Sequence, residues 1–97
     1  MSKPRIVWSI EAKNTLKEIY DYYKDKSLQG AKNVRYDLLK APKKIVFAKQ
    51  YQEDEINPKY RRIVVRHYKL LYLEKDNRVE VIDIVSSLQS PDVLKEK

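Results

Sequence analysis

The sequence predicts an α+β domain in which an N-terminal strand and a helical hairpin precede a three-stranded antiparallel meander. Three observations lead to this prediction: an apolar, β-forming run at Arg5–Trp8, two stretches with apolar residues three and four apart, and three later segments rich in Val, Ile, Leu and Tyr. Because a helical hairpin can cover one face of a small sheet, we expect both helices on one face.

The first helical stretch follows Ser9, a favourable N-cap residue, and has Glu11 in its first turn. Its apolar residues are spaced as one face of a helix of about four turns, which ends near residues 25–27. These apolar residues are Ala12, Leu16, Ile19, Tyr20 and Tyr23.

A second helical stretch begins after Ser27, a further N-cap candidate, and ends before Pro42, because a residue preceding proline is biased away from the helical region. Its apolar face consists of Leu28, Ala31, Val34, Leu38 and Ala41. Residues 43–59 have no clear period, and we expect a long connection there that includes the acidic cluster 53–55.

Three strands are predicted at residues 60–66, 69–75 and Arg78–Ser86. The junctions between them are His67-Tyr68 and Asp76-Asn77. Both are short enough for hairpins, so the three strands should form an antiparallel meander.

Length and composition bound the class of protein. A chain of 97 residues has room for one domain, expected to span 1–97, and it holds no Cys for disulfides or thiolate metal sites. The basic start, residues 1–5, leads into a short strand and not into a signal peptide. No apolar run reaches the roughly 18 residues of a membrane span. We therefore expect a cytoplasmic protein without membrane contact.

Positive charge is concentrated in the middle of the chain. The net charge is +7, and Lys and Arg outnumber Asp and Glu by 9 to 3 in residues 40–69, against 8 to 5 in 1–39 and 4 to 6 in 70–97. Such a surface attracts polyanions or an acidic protein over long distances. The alternative is a soluble protein that is simply basic.

Several motifs occur in an order that covers almost the whole chain. They are Val7-Trp8-Ser9 followed by Ala12, Leu16, Ile19 and Tyr22; Leu38-Leu39 with Pro42; Gln50-Tyr51-Gln52 with Asp54-Glu55; and the stretches 60–65 and 68–72. This arrangement resembles the RelE/ParE toxin superfamily, called plasmid-stabilisation proteins in some branches. The resemblance implies the toxin of a bacterial type II toxin–antitoxin system, with the arginine-bearing strand, the hairpin and the tyrosine-rich strand in the middle of the sheet.

Two branches of that superfamily act differently. Members like RelE and YoeB are ribosome-dependent mRNA endonucleases, whereas members like ParE bind and poison DNA gyrase. One fold serves both, so side chains must decide. The resemblance also implies a cognate antitoxin, whose C-terminal segment would lie as a strand or helix along the basic and apolar surface, and a dimer or toxin–antitoxin hetero-oligomer. A degenerate toxin fold that binds without toxicity is a third alternative.

An RNA-cutting site would need cations and a general acid or base. The candidate cations are Arg61, Arg62 and Arg66, and the candidate acid or base is His67, the only histidine. Side chains alternate along a strand, so Arg62 and Arg66 are expected on one face and Arg61 on the other. Alternatively, the arginines are solvated or pair with residues 53–55, and His67 is a turn residue.

The C-terminal end of the predicted sheet favours the gyrase-binding branch. In relatives with a catalytic His or Tyr, that residue comes from this end, which here reads Ser86-Ser87-Leu88-Gln89. Many relatives carry an arginine where Leu88 stands. Because a general acid and a typical phosphate contact are both missing, we favour a ParE-like toxin that acts by binding over an mRNA endonuclease.

The candidate residues for binding the target or the antitoxin are Lys43, Lys44, Lys49, Tyr51, Arg61, Arg62 and Arg66. The lysines form a loose basic run that would also suit a solvated surface. Tyrosines at 51, 60, 68 and 72 could stack on bases, although aromatic residues at strand spacing more often pack within the sheet. The pair Asp54-Glu55 lacks a His or Asp at metal-ligand spacing, and the chain has one Gly, so no metal or nucleotide cofactor is expected.

Overall fold

A computed structural model describes residues 3–87. Its helices and strands are β1 (Arg5–Trp8), α1 (Ile10–Lys24), α2 (Leu28–Lys40), β2 (Arg61–Val65), β3 (Tyr68–Lys75) and β4 (Arg78–Ser86), with 3-10 turns at Ala41–Lys44 and Ala48–Gln50. The predicted α+β class and element order are confirmed. Within the described range, no helix has the length and apolar content needed to cross a bilayer.

Both helices start at the serines that the sequence indicated. The Oγ of Ser9 accepts a hydrogen bond from the N–H of Ala12 at 2.9 Å, and the Oγ of Ser27 accepts one from Gly30 at 3.0 Å. Each bond satisfies an N–H that the first turn of a helix leaves without an intrahelical partner. Pro42 lies in the 3-10 turn that follows α2, so the chain tightens there before it leaves the helix.

The four strands form one mixed sheet in the order β1-β4-β3-β2. The first strand pairs parallel with β4, whereas β2, β3 and β4 form the predicted antiparallel meander. The arginine-bearing strand β2 therefore lies at the edge, and its implied place in the middle of the sheet is wrong. Because β1 adds beside β4, the two inner positions belong to β3 and β4.

The turn between β2 and β3 is Arg66-His67, one residue earlier in the chain than the predicted junction His67-Tyr68. Strand β2 ends at Val65, and Arg66 has a φ of 55°, which is outside the β region. Tyr68 already belongs to β3. The next turn has positive φ at both Asp76 (54°) and Asn77 (62°), as two-residue hairpin turns of type I′ require.

The core lies between the helical hairpin and one face of the sheet. It contains Ala12, Leu16, Ile19, Val34, Leu38, Ala41, Ile45, Ile63, Leu70, Tyr72, Val79, Val81 and Ile84. Along β3, Leu70 and Tyr72 face this core, so Lys69 and Leu71 lie on the opposite face. Both are nevertheless buried, at 9% and 4% exposure.

Candidate functional site

A groove lies between the C-terminal end of α2 and the outer edge of β2. Its volume is about 540 Å³. It is lined by Asp37, Lys40, Ala41, Lys44, Tyr51, Gln52, Arg62, Ile63, Val64 and Val65. We call it the edge groove, because a free sheet edge forms one of its walls.

Among residues 3–87, the loop at residues 52–54 pairs with the beginning of this edge, at residues 60–62, and leaves the rest of the edge free. The N–H of Arg62 donates to the C=O of Gln52 at 3.0 Å, and the N–H of Asp54 donates to the C=O of Tyr60 at 2.9 Å. These bonds make a single antiparallel bridge at Arg61. Polar backbone groups two residues apart point the same way in a strand, so the N–H and C=O of Val64 face outward beyond the bridge.

The two adjacent arginines of β2 both hold the segment that covers the edge. Nη1 of Arg61 donates to the C=O of Tyr51 at 2.7 Å, and Nη1 of Arg62 donates to the C=O of Glu53 at 2.7 Å. Their side chains are only 25% and 21% exposed. Although they leave the strand on opposite faces, both reach one loop, because residues 51–55 pass around the strand edge.

Acidic residues of the 53–55 cluster lie next to these guanidinium groups. Nη2 of Arg61 is 3.9 Å from Oε2 of Glu53, and Nη2 of Arg62 is 4.0 Å from Oε1 of Glu55. Arg61 and Arg62 therefore pair with the 53–55 cluster, which was the alternative to solvated or phosphate-binding arginines.

Arg66 is separated from the other two arginines. Its Nε donates to Oδ2 of Asp37 on α2 at 2.9 Å, and Asp37 lines the edge groove whereas Arg66 does not. The expected pairing of Arg66 with Arg62 on one strand face is wrong, because Arg66 lies in the turn and not in β2.

His67 occupies an exposed turn and not a cleft. Its C=O accepts a hydrogen bond from the N–H of Ser87 at 2.8 Å. Arg61 begins β2 and Val65 ends it, four strand steps of about 3.4 Å away. His67 follows Val65 and therefore lies at the opposite end of the strand from Arg61. The structure does not bring the candidate acid or base together with that arginine. Leu88 and Gln89 lie outside the described residues.

The remaining candidate residues line two different pockets or lie on the surface. Lys44 and Tyr51 line the edge groove with Arg62, whereas Lys49 lines a smaller pocket with Arg61. Lys43 is exposed, and its C=O accepts a hydrogen bond from Nζ of Lys3 at 3.1 Å.

Seven of the ten residues that line the edge groove were not among the candidates, and two of them bear directly on binding. Lys40 of α2 and Val64 of β2 both line it. Lys40 follows the helical pattern like any solvated lysine, and Val64 follows the strand pattern, so only their position beside the free edge distinguishes them.

Two of the tyrosines considered for base stacking pack against each other, Tyr72 in the core and Tyr51 half-buried beside it. The rings of Tyr51 and Tyr72 meet edge to face, with centroids 6.4 Å apart. The hydroxyl of Tyr72 donates to the C=O of Ala48 at 2.7 Å, and the residue is 1% exposed. Tyr72 therefore holds the 3-10 turn at Ala48–Gln50 against the sheet.

A buried ion pair joins the loop to β3, and sequence reasoning missed it. Nζ of Lys69 lies 2.7 Å from Oδ1 of Asp54, and the Asp54 side chain is 1% exposed. Burial alone would raise the pKa of Asp54, but the hydrogen bond from Lys69, its positive charge and the N–H groups of Asn57 and Ile56 together hold this pKa below its usual value of 3.8.

A second groove lies on the helical hairpin, beside β1. Its apolar floor includes Trp8, Leu16, Tyr20 and Leu39, and its rim carries Lys13, Lys17 and Arg35 with the single acid Asp21. Its volume is about 530 Å³. We call it the helix groove. No group of three His, Asp or Glu residues within 3–87 is arranged to hold a metal ion.

The chain is similar to known proteins over most of its length. Residues 6–91 match the model of the family described as the ParE toxin of the type II toxin–antitoxin system parDE. The fold is similar to a solved structure of the chromosomal ParDE toxin–antitoxin system from P. aeruginosa, with a TM-score of 0.76 and 16% identity over 86% of this chain and 95% of that chain. No curated protein matches the sequence.

Proposed function

The chain belongs to the family of ParE toxins of type II toxin–antitoxin systems, and from this premise we propose that it acts in the cytoplasm by binding DNA gyrase and is held inactive by a cognate antitoxin. The observation that best supports action by binding is the edge groove. It combines a free strand edge with the cations Lys40, Lys44 and Arg62. His67, the candidate acid or base, lies outside it.

The free half of β2 is the proposed attachment site for an extended segment of the antitoxin. A partner strand can bond to the outward N–H and C=O of Val64, and its side chains would then enter the edge groove. Val64 itself is 59% exposed, which leaves its side chain available for a cross-strand contact. Acidic side chains on the partner would face Lys40 and Lys44.

The helix groove is the proposed site for an amphipathic helix of the same antitoxin. Its floor would receive the apolar face of that helix, while Lys13, Lys17 and Arg35 would face acidic residues at the border. Both grooves border the C-terminal half of α2, so one antitoxin segment would be able to contact both.

Neutralisation then follows from competition for a basic surface. Positive charge around Lys44, Lys49 and the β2 arginines would draw the toxin to an acidic patch on gyrase. An acidic antitoxin bound at the edge groove would occupy the same charges and exclude the target. This reasoning makes Arg61 and Arg62 contact residues and not catalytic ones.

Induced expression in a sensitive bacterial host tests the proposed function. We expect growth arrest with DNA-damage signalling and gyrase-linked DNA breaks. Rapid loss of translated mRNA without DNA breaks would favour the mRNA endonuclease instead. Unaffected growth, with the protein folded and expressed, would contradict both toxic functions and favour the non-toxic binding module.

A further inference from the structure

The buried ion pair between Asp54 and Lys69 has no part in the function proposed above. Within residues 3–87 these are the charged residues that are buried, with exposures of 2% and 9%. Lys69 comes from β3, next to the edge strand, whereas Asp54 comes from the loop that covers half of the β2 edge.

Asp54 is fastened at four points. Its Oδ1 accepts from Nζ of Lys69 at 2.7 Å, and its Oδ2 accepts from the N–H groups of Ile56 at 3.1 Å and Asn57 at 2.9 Å. Its own N–H donates to the C=O of Tyr60 at 2.9 Å. This single side chain therefore closes the turn at residues 54–57 and ties the turn to the sheet.

The carbonyl groups that hold the two arginines lie within three residues of Asp54. The C=O of Tyr51 accepts from Arg61, and the C=O of Glu53 accepts from Arg62. The C=O of Gln52 accepts the backbone N–H of Arg62. Because these acceptors belong to the same short loop, their positions depend on where Asp54 is held.

We propose that Asp54 and Lys69 form a clamp that positions Arg61 and Arg62 for partner binding. By holding the loop on the first half of the β2 edge, the clamp also restricts a partner strand to the half of β2 that contains Val64. The contact role of the arginines rests on the proposed function, whereas the clamp itself rests on the contacts of the loop. Asp54 and Lys69 are positioning residues, since neither reaches the lining of the edge groove.

Stability alone gives a weak reason for an ion pair at this place. Removing two charges from water is unfavourable, and a matched apolar pair often stabilises a fold as well or better. An ion pair with directional hydrogen bonds fixes one arrangement of the groups around it. An apolar contact has no such directionality and would allow several arrangements. The main effect of the clamp is therefore to fix the position of the loop that holds Arg61 and Arg62, and its contribution to net stability is small.

Three variants separate positioning from stability: Asp54→Asn, Lys69→Met and the two combined. Each single variant leaves one buried charge without its partner, so we expect a lower Tm. The double variant removes both charges and keeps an oxygen for the N–H groups of residues 56 and 57, so its Tm should recover most of the loss. The variant Asp37→Asn, which breaks the pair with Arg66, is the matched control for the exchange measurement alone, because Asp37 lines the edge groove.

Amide hydrogen exchange and growth arrest are the readouts. In the double variant, we expect the amides of residue 54 and Arg62 to exchange at least about tenfold faster than in the wild type, and growth arrest at equal expression to weaken, despite the recovered Tm. Asp37→Asn should leave the Arg62 amide unchanged. A double variant with recovered Tm, wild-type exchange and wild-type growth arrest would overturn the proposal.

The wild-type protein provides a test that needs no variant. If one clamp holds the loop, the amides of Asp54, Asn57 and Arg62 are released in the same opening, and their protection factors should agree within about threefold. An Arg62 amide that opens much more easily than that of Asp54 would overturn the clamp, even if the variants fail to fold. Unaffected growth with the wild-type toxin would instead contradict the proposed function and leave this exchange result valid.

Discussion

Nε of Arg66 lies 2.9 Å from Oδ2 of Asp37, and this contact joins the β2–β3 turn to α2. Both side chains are more than one-third exposed, at 44% and 40%. Exposed ion pairs contribute little, because water screens them and two long side chains lose freedom. The pair borders the edge groove without adding much to the stability of the fold.

Replacing Arg66 by Ala should therefore lower the free energy of unfolding by no more than about 1 kcal/mol. Urea denaturation at low and moderate salt measures this change, and the small loss should shrink as salt increases. A loss well above that value, independent of salt, would show that Arg66 has a structural role beyond its contact with Asp37.

The double replacement Arg61→Ala and Arg62→Ala should weaken growth arrest or antitoxin affinity. It should also destabilise the fold by about 1–3 kcal/mol for each lost charge-assisted bond to a carbonyl group. For solvated arginines, the change would be no more than about 0.5 kcal/mol each. Urea denaturation and growth at matched expression measure the two effects. A folded double variant with wild-type growth arrest would argue against contact roles for both arginines.

Replacing Val64 by Pro should weaken binding of the antitoxin by at least about tenfold, because it removes the outward N–H that a partner strand would use. Proline is tolerated on edge strands when its missing N–H faces away from the sheet, so the fold should survive. Val64→Ala keeps the N–H and is the matched control. Equal affinity of the two variants would rule out strand addition at this edge.

The stability of the protein should depend on pH in the acidic range because of the buried carboxylate of Asp54. Its pKa is held below 3.8 in the folded protein, so the unfolded chain takes up the proton first as pH falls. The stability that Asp54 contributes is complete above about pH 4 and is lost as pH falls through the lower, folded pKa. In urea denaturation between pH 5 and 2, Asp54→Asn should lose stability less steeply than the wild type. Parallel losses would contradict this coupling.

Local patterns sufficed for the regular elements. Ser9 and Ser27 mark both helix starts because an N-cap is a local hydrogen bond, and Arg5–Trp8 and Arg78–Ser86 were correctly bounded as strands. The sheet order was not accessible in this way. Whether β2 lies in the middle or at the edge depends on where β1 pairs, which is a contact between the two ends of the described chain.

Some of the predicted candidate residues lie together, whereas the arrangement of the two adjacent arginines was not predicted. Lys44, Tyr51 and Arg62 do meet in one groove, but strand alternation placed Arg61 and Arg62 on unrelated surfaces. The loop that gathers both arginines is ordered by Asp54 and Lys69, fifteen residues apart in sequence. A polar stretch such as 50–58 carries no periodic signal of such a contact, so only the folded arrangement shows it.

The most direct test of the central claim is the supercoiling activity of purified DNA gyrase in the presence of the purified protein. We expect the wild-type protein to inhibit supercoiling and to increase cleaved DNA, and the Arg61→Ala, Arg62→Ala variant to do so more weakly. Unchanged gyrase activity, together with cleavage of mRNA on translating ribosomes, would contradict a toxin that acts by binding gyrase.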